Sequence, residues 1–343
     1  MKKFDRREVI GGIAVGLGIA ALPQQSLSQT QSDWNKVIEA AKKEGKLVVY
    51  TAATGQPAHV AIGRAFEKKY GITVTYLEAR ASEIRERVRT EQAAGRFIGD
   101  LSHNGATTTG LQMLEGAFQP YGTVPNLAKL RSPFKADDTR IPVFASAYAM
   151  LVNTNLVKPG DEPKSWADLA DPKWRGKILS DDPRALGGGS VSFFVLQDKL
   201  GRSYHEKMAA NQLVFSRDLR ASERRVARGD YAIWIPMTTS SYMALKGLPV
   251  KLLHPEEGYP YITYEVAILK NAPRPNAARL FMDFFVSDEA QLIHDQEGLI
   301  MVTQTVAPPS SPEMAATRSA KLLGTTDASR QDNMLKLAKE IYK

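Results

Sequence analysis

The chain of 343 residues contains no cysteine. Disulfide frameworks, thiolate metal sites, cysteine nucleophiles and lipid attachment at a cysteine are therefore excluded. Histidine is scarce, with five residues scattered along the sequence. No H-E-x-x-H, G-x-S-x-G or P-loop spacing occurs, so no motif for metalloprotease, serine hydrolase or nucleotide chemistry is present. No segment approaches the ~20 consecutive apolar residues of a spanning helix. Basic residues exceed acidic ones, giving a formal net charge of +8, yet no basic run is long enough for a nucleic-acid arm. The densest cluster, Arg220 to Arg228, is interrupted by Glu223 and apolar residues. That leaves a soluble surface and an acidic small molecule as the readings of the charge.

What is there begins with the N-terminus. Lys2, Lys3, Arg6 and Arg7 precede an apolar, Gly- and Ala-rich stretch from Val9 to Leu22, followed by Pro23 and small polar residues through Ser28. This charged, apolar and cleavable order predicts a signal peptide over residues 1–28 and a periplasmic product. Asp5-Arg6-Arg7-Glu8-Val9-Ile10 resembles a twin-arginine export motif, with an ordinary Sec signal as the alternative.

From residue 31 the pattern alternates. Lys46–Thr51 reads as a buried strand, Pro57 opens a helix that stops before Gly71, and 72–77 is a second strand. A charged helix capped by Ser82 follows, then a strand over 98–102 and a loop over 103–107. This β-α-β-α-β order with short connections predicts an α/β fold with a mostly parallel sheet covered by helices. A second set follows, with strands near 177–180, 213–215, 231–235 and 250–253, and a helix ending at Gly201. Two long extended segments, 143–152 and 261–269, bracket it. They predict a discontinuous first lobe (31–145 and 262–343), a second lobe (146–261) and a two-strand hinge. A ligand would lie between the lobes, outside the carboxyl ends of the strands. Residues 305–318 read as a Pro/Ser-rich loop.

Three stretches carry a resemblance: Asn276 to Gln291 with Gly298 beyond it, Ser165 to Lys177, and Val226 to Ile233. In their order and spacing the chain resembles the ferric-iron-binding-protein-like group of type 2 periplasmic solute-binding proteins of ABC importers, also called extracellular solute-binding protein family 1. The resemblance implies a two-lobed fold, each lobe a mixed, mostly parallel sheet flanked by helices. It also implies an inner-membrane ABC permease as partner, no cofactor, a monomer and no catalysis. The family's cleft loops fall on 51–56, 102–107, 184–190 and 238–242, and its hinge positions near Ser146, Tyr148 and Tyr264. Iron binders of the group usually offer two adjacent tyrosines where this chain has only Tyr242, and an arginine where it has Ser146.

Read for chemistry, these loops offer hydroxyls, amides and backbone N–H groups, whereas Fe(III) calls for several anionic oxygens. Arg184 with Gly187-Gly188-Gly189-Ser190 before a helix reads either as an anion site or as a plain loop and cap. Thr239 and Ser240 either cap a helix or bind a ligand. Tyr242 either stacks on a ligand or belongs to a core. Thr54, Gln56, His103 and Asn104 are hydrogen-bonding candidates, and Arg220 is a candidate cation. Tyr148, Tyr264 and Glu265 lie on the hinge strands, the glutamate serving either a ligand amine or an arginine. The function expected is capture of a small organic anion, namely a carboxylate, phosphonate, sulfonate or phosphate ester. Ferric iron is the alternative cargo, and a periplasmic enzyme a more distant one.

Overall fold

A computed structural model describes residues 24–319 and 321–343, with side chains from residue 32 onward. The expected export segment, including Arg6 and Arg7, falls mainly on residues 1–23 and lies outside the described ones. Residues 37–343 form one compact unit that contains every strand described below.

Helix α1 (Gln24–Glu44) leads into β1 (Lys46–Thr51), α2 (Pro57–Tyr70), β2 (Thr73–Glu78), α3 (Ala81–Ala93), β3 (Leu101–Gly105) and α4 (Ala106–Leu114). Proline at the first position starts α2, because its missing N–H would have no helical partner there. Gly71, at φ 72°, ends it by returning its N–H to the Glu67 carbonyl. The long strand β4 (Arg140–Asn153) then enters the second set: β5 (Ile178–Asp181), α5 (Gly188–Ala210), β6 (Val214–Ser216), α6 (Leu219–Arg228), β7 (Ile233–Thr238), the single turn α7 (Thr239–Met243) and β8 (Val250–Leu253). The chain returns through β9 (Tyr259–Ile268) to α8 (Pro275–Phe285), α9 (Asp288–Gln296), α10 (Pro312–Ser319), β10 (Leu322–Gly324) and α11 (Gln331–Ile341).

The strand order is β2-β1-β3-β9-β4-β7-β5-β6, with β8 beside β4 and β10 beside β9. The pairs β1–β2, β1–β3, β5–β6 and β5–β7 are parallel, as crossover helices require. Strand β4 changes partners along its length. Residues 140–147 pair with β9, and 148–153 pair with β7 and β8. All of β4 after Arg140 is buried, which explains its nearly unbroken apolar sequence. It is one of the two strands that join the lobes; β9 is the other.

Four sequence expectations are revised. Residues 103–105 continue strand β3 instead of forming a loop, because His103 and Asn104 pair with Val266 and Glu265 of β9. The chain end does not belong with the first lobe. Helix α11 packs along α5, and Tyr342 is buried in the core of the second lobe beside Phe193 and Phe215. Its hydroxyl meets His205 Nδ1 at 2.9 Å. The expected loop over 305–318 also contains α10. At Gly201 the backbone leaves helical geometry (φ 78°), where the glycine predicts a stop, but a second helical segment continues to Ala210.

Candidate functional site

The carboxyl ends of β1 and β3 present a group of buried polar side chains. Thr51 and His103 are register partners, and their Oγ1 and Nδ1 atoms lie 3.0 Å apart. Asn104 donates to Ser102 at 2.7 Å. Beyond β1, Gln56 occupies the N-cap position of α2 without a side-chain cap bond, and His59 follows in the first turn. Four side-chain atoms here are buried without a hydrogen-bond partner among the described residues: Gln56 Oε1, His59 Nδ1, His103 Nε2 and Asn104 Oδ1. A buried polar atom left alone costs about 1–3 kcal/mol. His103 and Asn104, consecutive on β3, turn to opposite faces of the sheet, the first toward Thr51 and Phe285 and the second toward Ser102. Burial holds the His103 pKa well below the usual histidine range, so its imidazole is neutral. The ring packs among Phe144, Tyr264 and Phe285.

The loop between β1 and α2 is fixed from both sides. Glu78 accepts from the Gly55 N–H at 3.0 Å and meets His59 Nε2 at 2.9 Å. Burial pushes the Glu78 pKa up, but the Gly55 N–H and His59 outweigh it, and the net shift is downward. From α6 in the second lobe, Arg220 reaches over and donates to the Gly55 carbonyl at 3.0 Å. This bond spans the two lobes. Thr54 is exposed beside it. A second approach joins Gly298 and Ser240: a Cβ on the glycine would lie 2.7 Å from Ser240 Cα, so only glycine fits.

The second-lobe wall departs from the sequence reading. Asp181, at the end of β5, accepts the Gly189 N–H at 2.6 Å, so the donor expected to meet an anion already holds a carboxylate. The glycine is needed for this packing, since a Cβ on Gly189 would lie 2.4 Å from the Asp181 carbonyl oxygen. Burial pushes the Asp181 pKa up to about 6, against the N–H bonds from Gly189 and Asp182. Ser190 donates to the Gly187 carbonyl and accepts its N–H, a local cap. Arg184 forms a fork on Asp182 at 2.8 and 2.9 Å, donates to the Tyr342 carbonyl and lies over Phe215. It thus ties β5 to the chain end, with its guanidinium engaged by Asp182 and the Tyr342 carbonyl. Arg184→Ala is expected to leave the affinity for any cleft ligand within roughly twofold, as for substitutions outside a site. A titration comparing it with the unchanged protein, after both are shown to be folded, checks this.

The remaining candidates divide. Thr239 is buried against Thr317 of α10 at 2.9 Å, and Ser240 lies 3.1 Å from Thr238, whose hydroxyl caps α7. Tyr242 is half-buried. Tyr148 is buried with Val191 and Ile262, beside Ala106 and Tyr264, at the junction of the lobes, and its ring lies over Gly188. Tyr264 stacks on Phe144 with centroids 4.6 Å apart. Burial raises the pKa of both hinge tyrosines, so their phenols stay protonated. Glu265 is committed to Arg140 and Thr109. Among the described residues no group of three or more His, Asp and Glu side chains could hold a metal ion.

Sequence reasoning missed Glu78, His59 and Glu223. Glu223 is buried on α6, Ser241 hydrogen-bonds to it, and burial raises its pKa to about 7. It lies inside the Arg-rich helix that reads as solvent-facing, and only the apolar positions Val226 and Ala227 on the same face hint otherwise.

Residues 47–300 match the model of a family described as bacterial extracellular solute-binding protein. The chain belongs to that family, and its fold is that of type 2 periplasmic binding proteins. An uncharacterized protein of Haemophilus influenzae is 26% identical over 283 residues, covering 78% of this chain and 81% of its own. Among solved structures, the substrate binding protein of an ABC transporter from Agrobacterium tumefaciens superposes with a TM-score of 0.75 at 19% identity, covering 87% of this chain and 94% of that one. Iron-bound HitA from Pseudomonas aeruginosa gives 0.73 at 19%, covering 86% and 99%. AfuA from Actinobacillus pleuropneumoniae, with fructose-6-phosphate bound, gives 0.69 at 23%, covering 87% and 96%.

Proposed function

We propose that this chain is the solute-binding component of an ABC importer and that it captures a small, hydroxyl-bearing organic anion between two lobes in the periplasm. The observation that supports this reading is the buried, unpartnered polar atoms where β1 leads into α2, on Gln56 and His59, beside those on the two faces of β3, on His103 and Asn104. Amide oxygens and the neutral imidazole of His103 suit hydroxyl groups, which both donate and accept. Arg220 supplies the cation. It is placed to leave the Gly55 carbonyl for a ligand anion, or to hold the lobes shut once a ligand is inside. The lobes would comprise roughly 37–147 with most of 261–319, and 148–260 with the chain end. Ligand that bridges them would favour the closed form, which a membrane permease then recognises.

Ferric iron, the cargo named for HitA, is the second reading. It is less well matched, because carboxylates are not clustered among the described residues, and Fe(III) calls for several anionic oxygens. The sugar phosphate named for AfuA belongs to the chemical class proposed here. Fructose 6-phosphate therefore serves as the first probe. Arg220→Ala is expected to weaken its binding about tenfold, the loss of one charge-assisted contact, in a calorimetric titration. Equal affinity in the variant would remove Arg220 from the site.

A further inference from the structure

A second cavity of about 260 Å³ is lined by Arg131, Pro133, Ile300, Thr317, Arg318 and Leu322. Its two arginines differ in how they are matched. Arg318 is paired with the buried carboxylate of Asp295 and also donates to the Ala307 carbonyl. Arg131 is half-buried and gives Nε and Nη2 to a single acceptor, the Met301 carbonyl, at 3.1 and 2.9 Å. No ion pair to Arg131 is found among the described residues; its guanidinium lies over the Phe134 ring, 5.1 Å from the centroid, and burial, with the like charge of Arg318, lowers its pKa. Two guanidinium groups and one carboxylate leave one positive charge uncompensated at a cavity, a costly arrangement unless an anion completes it. The other walls, Pro133, Ile300 and Leu322, are apolar.

We infer that this cavity binds a small monoanion with a short apolar body, a short-chain carboxylate, against the free Nη1 edge of Arg131. The size suits such a ligand, since it falls just below the range of sites for larger molecules. The site is separate from the proposed cleft but mechanically joined to it. Thr317 on its wall bonds Thr239 at the start of α7, and Ile300 exchanges backbone hydrogen bonds with Ala145 of β4.

The test is a calorimetric titration of propionate into the purified protein in chloride-free buffer. Saturable binding, roughly millimolar, is expected for the unchanged protein. Arg131→Gln should weaken it tenfold or more. Leu322→Glu, which places a competing carboxylate in the cavity without touching the bonds of Arg131, should abolish it, and decides the matter if the first variant does not fold. Arg220→Ala should bind propionate as the unchanged protein does. Absence of saturable binding, binding undiminished by Leu322→Glu, or a loss confined to Arg220→Ala would each overturn the inference, the last by moving propionate to the cleft.

Discussion

Glu223→Gln is expected to stabilise the protein above neutral pH and to leave it unchanged in acid. The carboxyl is buried on α6, and desolvation is the largest cause of a pKa raised from 4.5 to about 7. A folded pKa above the unfolded one means that the folded state binds the proton more tightly. The stability this contributes is fully present below pH 4.5 and is lost as pH rises through about 7. Gln cannot ionise, so the variant escapes that loss. At about pH 8 the gain should be on the order of 3 kcal/mol, from the size of the shift. Urea melts at several pH values check it. A constant difference between the two proteins across that range would show that Glu223 ionises normally. The residue matters for the site because it stands beside Ser241 and one helical turn from Arg220. A protonated Glu223 keeps this wall from repelling an anion.

Asp100→Ala is expected to cost about 3–5 kcal/mol, the penalty for leaving one partner of a buried ion pair alone. Asp100 is fully buried and accepts from the Val48 N–H at 2.7 Å, from the Arg274 N–H at 2.9 Å and from the Arg274 guanidinium. It joins β1, the approach to β3 and the start of α8. Losing it strands a guanidinium and a strand N–H, just before the strand that carries His103 and Asn104. Chemical denaturation measures the cost. A loss below about 1 kcal/mol, the range of an exposed pair, would contradict the burial of this charge pair.

Much of the architecture is legible in the residues. Lys46–Thr51, Pro57–Tyr70 and Val250–Leu253 appear in the structure with the bounds their patterns predict, because Pro and Gly mark the helix ends and the strands are short apolar runs. The partner change in β4 follows from an apolar segment too long for one sheet. Other features depend on distant parts of the chain. His103 and Asn104 look like loop residues until β9 is placed beside them. The Gly187–Ser190 run suggests an open anion cradle, and only the packing of α5 on β5 shows Asp181 filling it. Arg184 pairs with Asp182, a partner only two positions away. That Tyr342 stands behind it could not be read locally, since 158 positions separate the two. The unpartnered atoms that define the candidate site are likewise a property of the assembled strand ends.

The central claim is that an organic anion occupies the cleft and that iron does not. Thermal unfolding in the presence of sugar phosphates, small hydroxycarboxylates, phosphonates and ferric citrate tests it most directly. Any ligand that binds only the folded protein adds stability by mass action, about 2.7 kcal/mol at a hundredfold excess over Kd. The account predicts a saturable rise in Tm with at least one of the organic anions, reduced by Arg220→Ala, and no visible absorption band with ferric citrate. Stabilisation by ferric iron alone, with a phenolate-to-iron band lost in Tyr242→Phe, would contradict it.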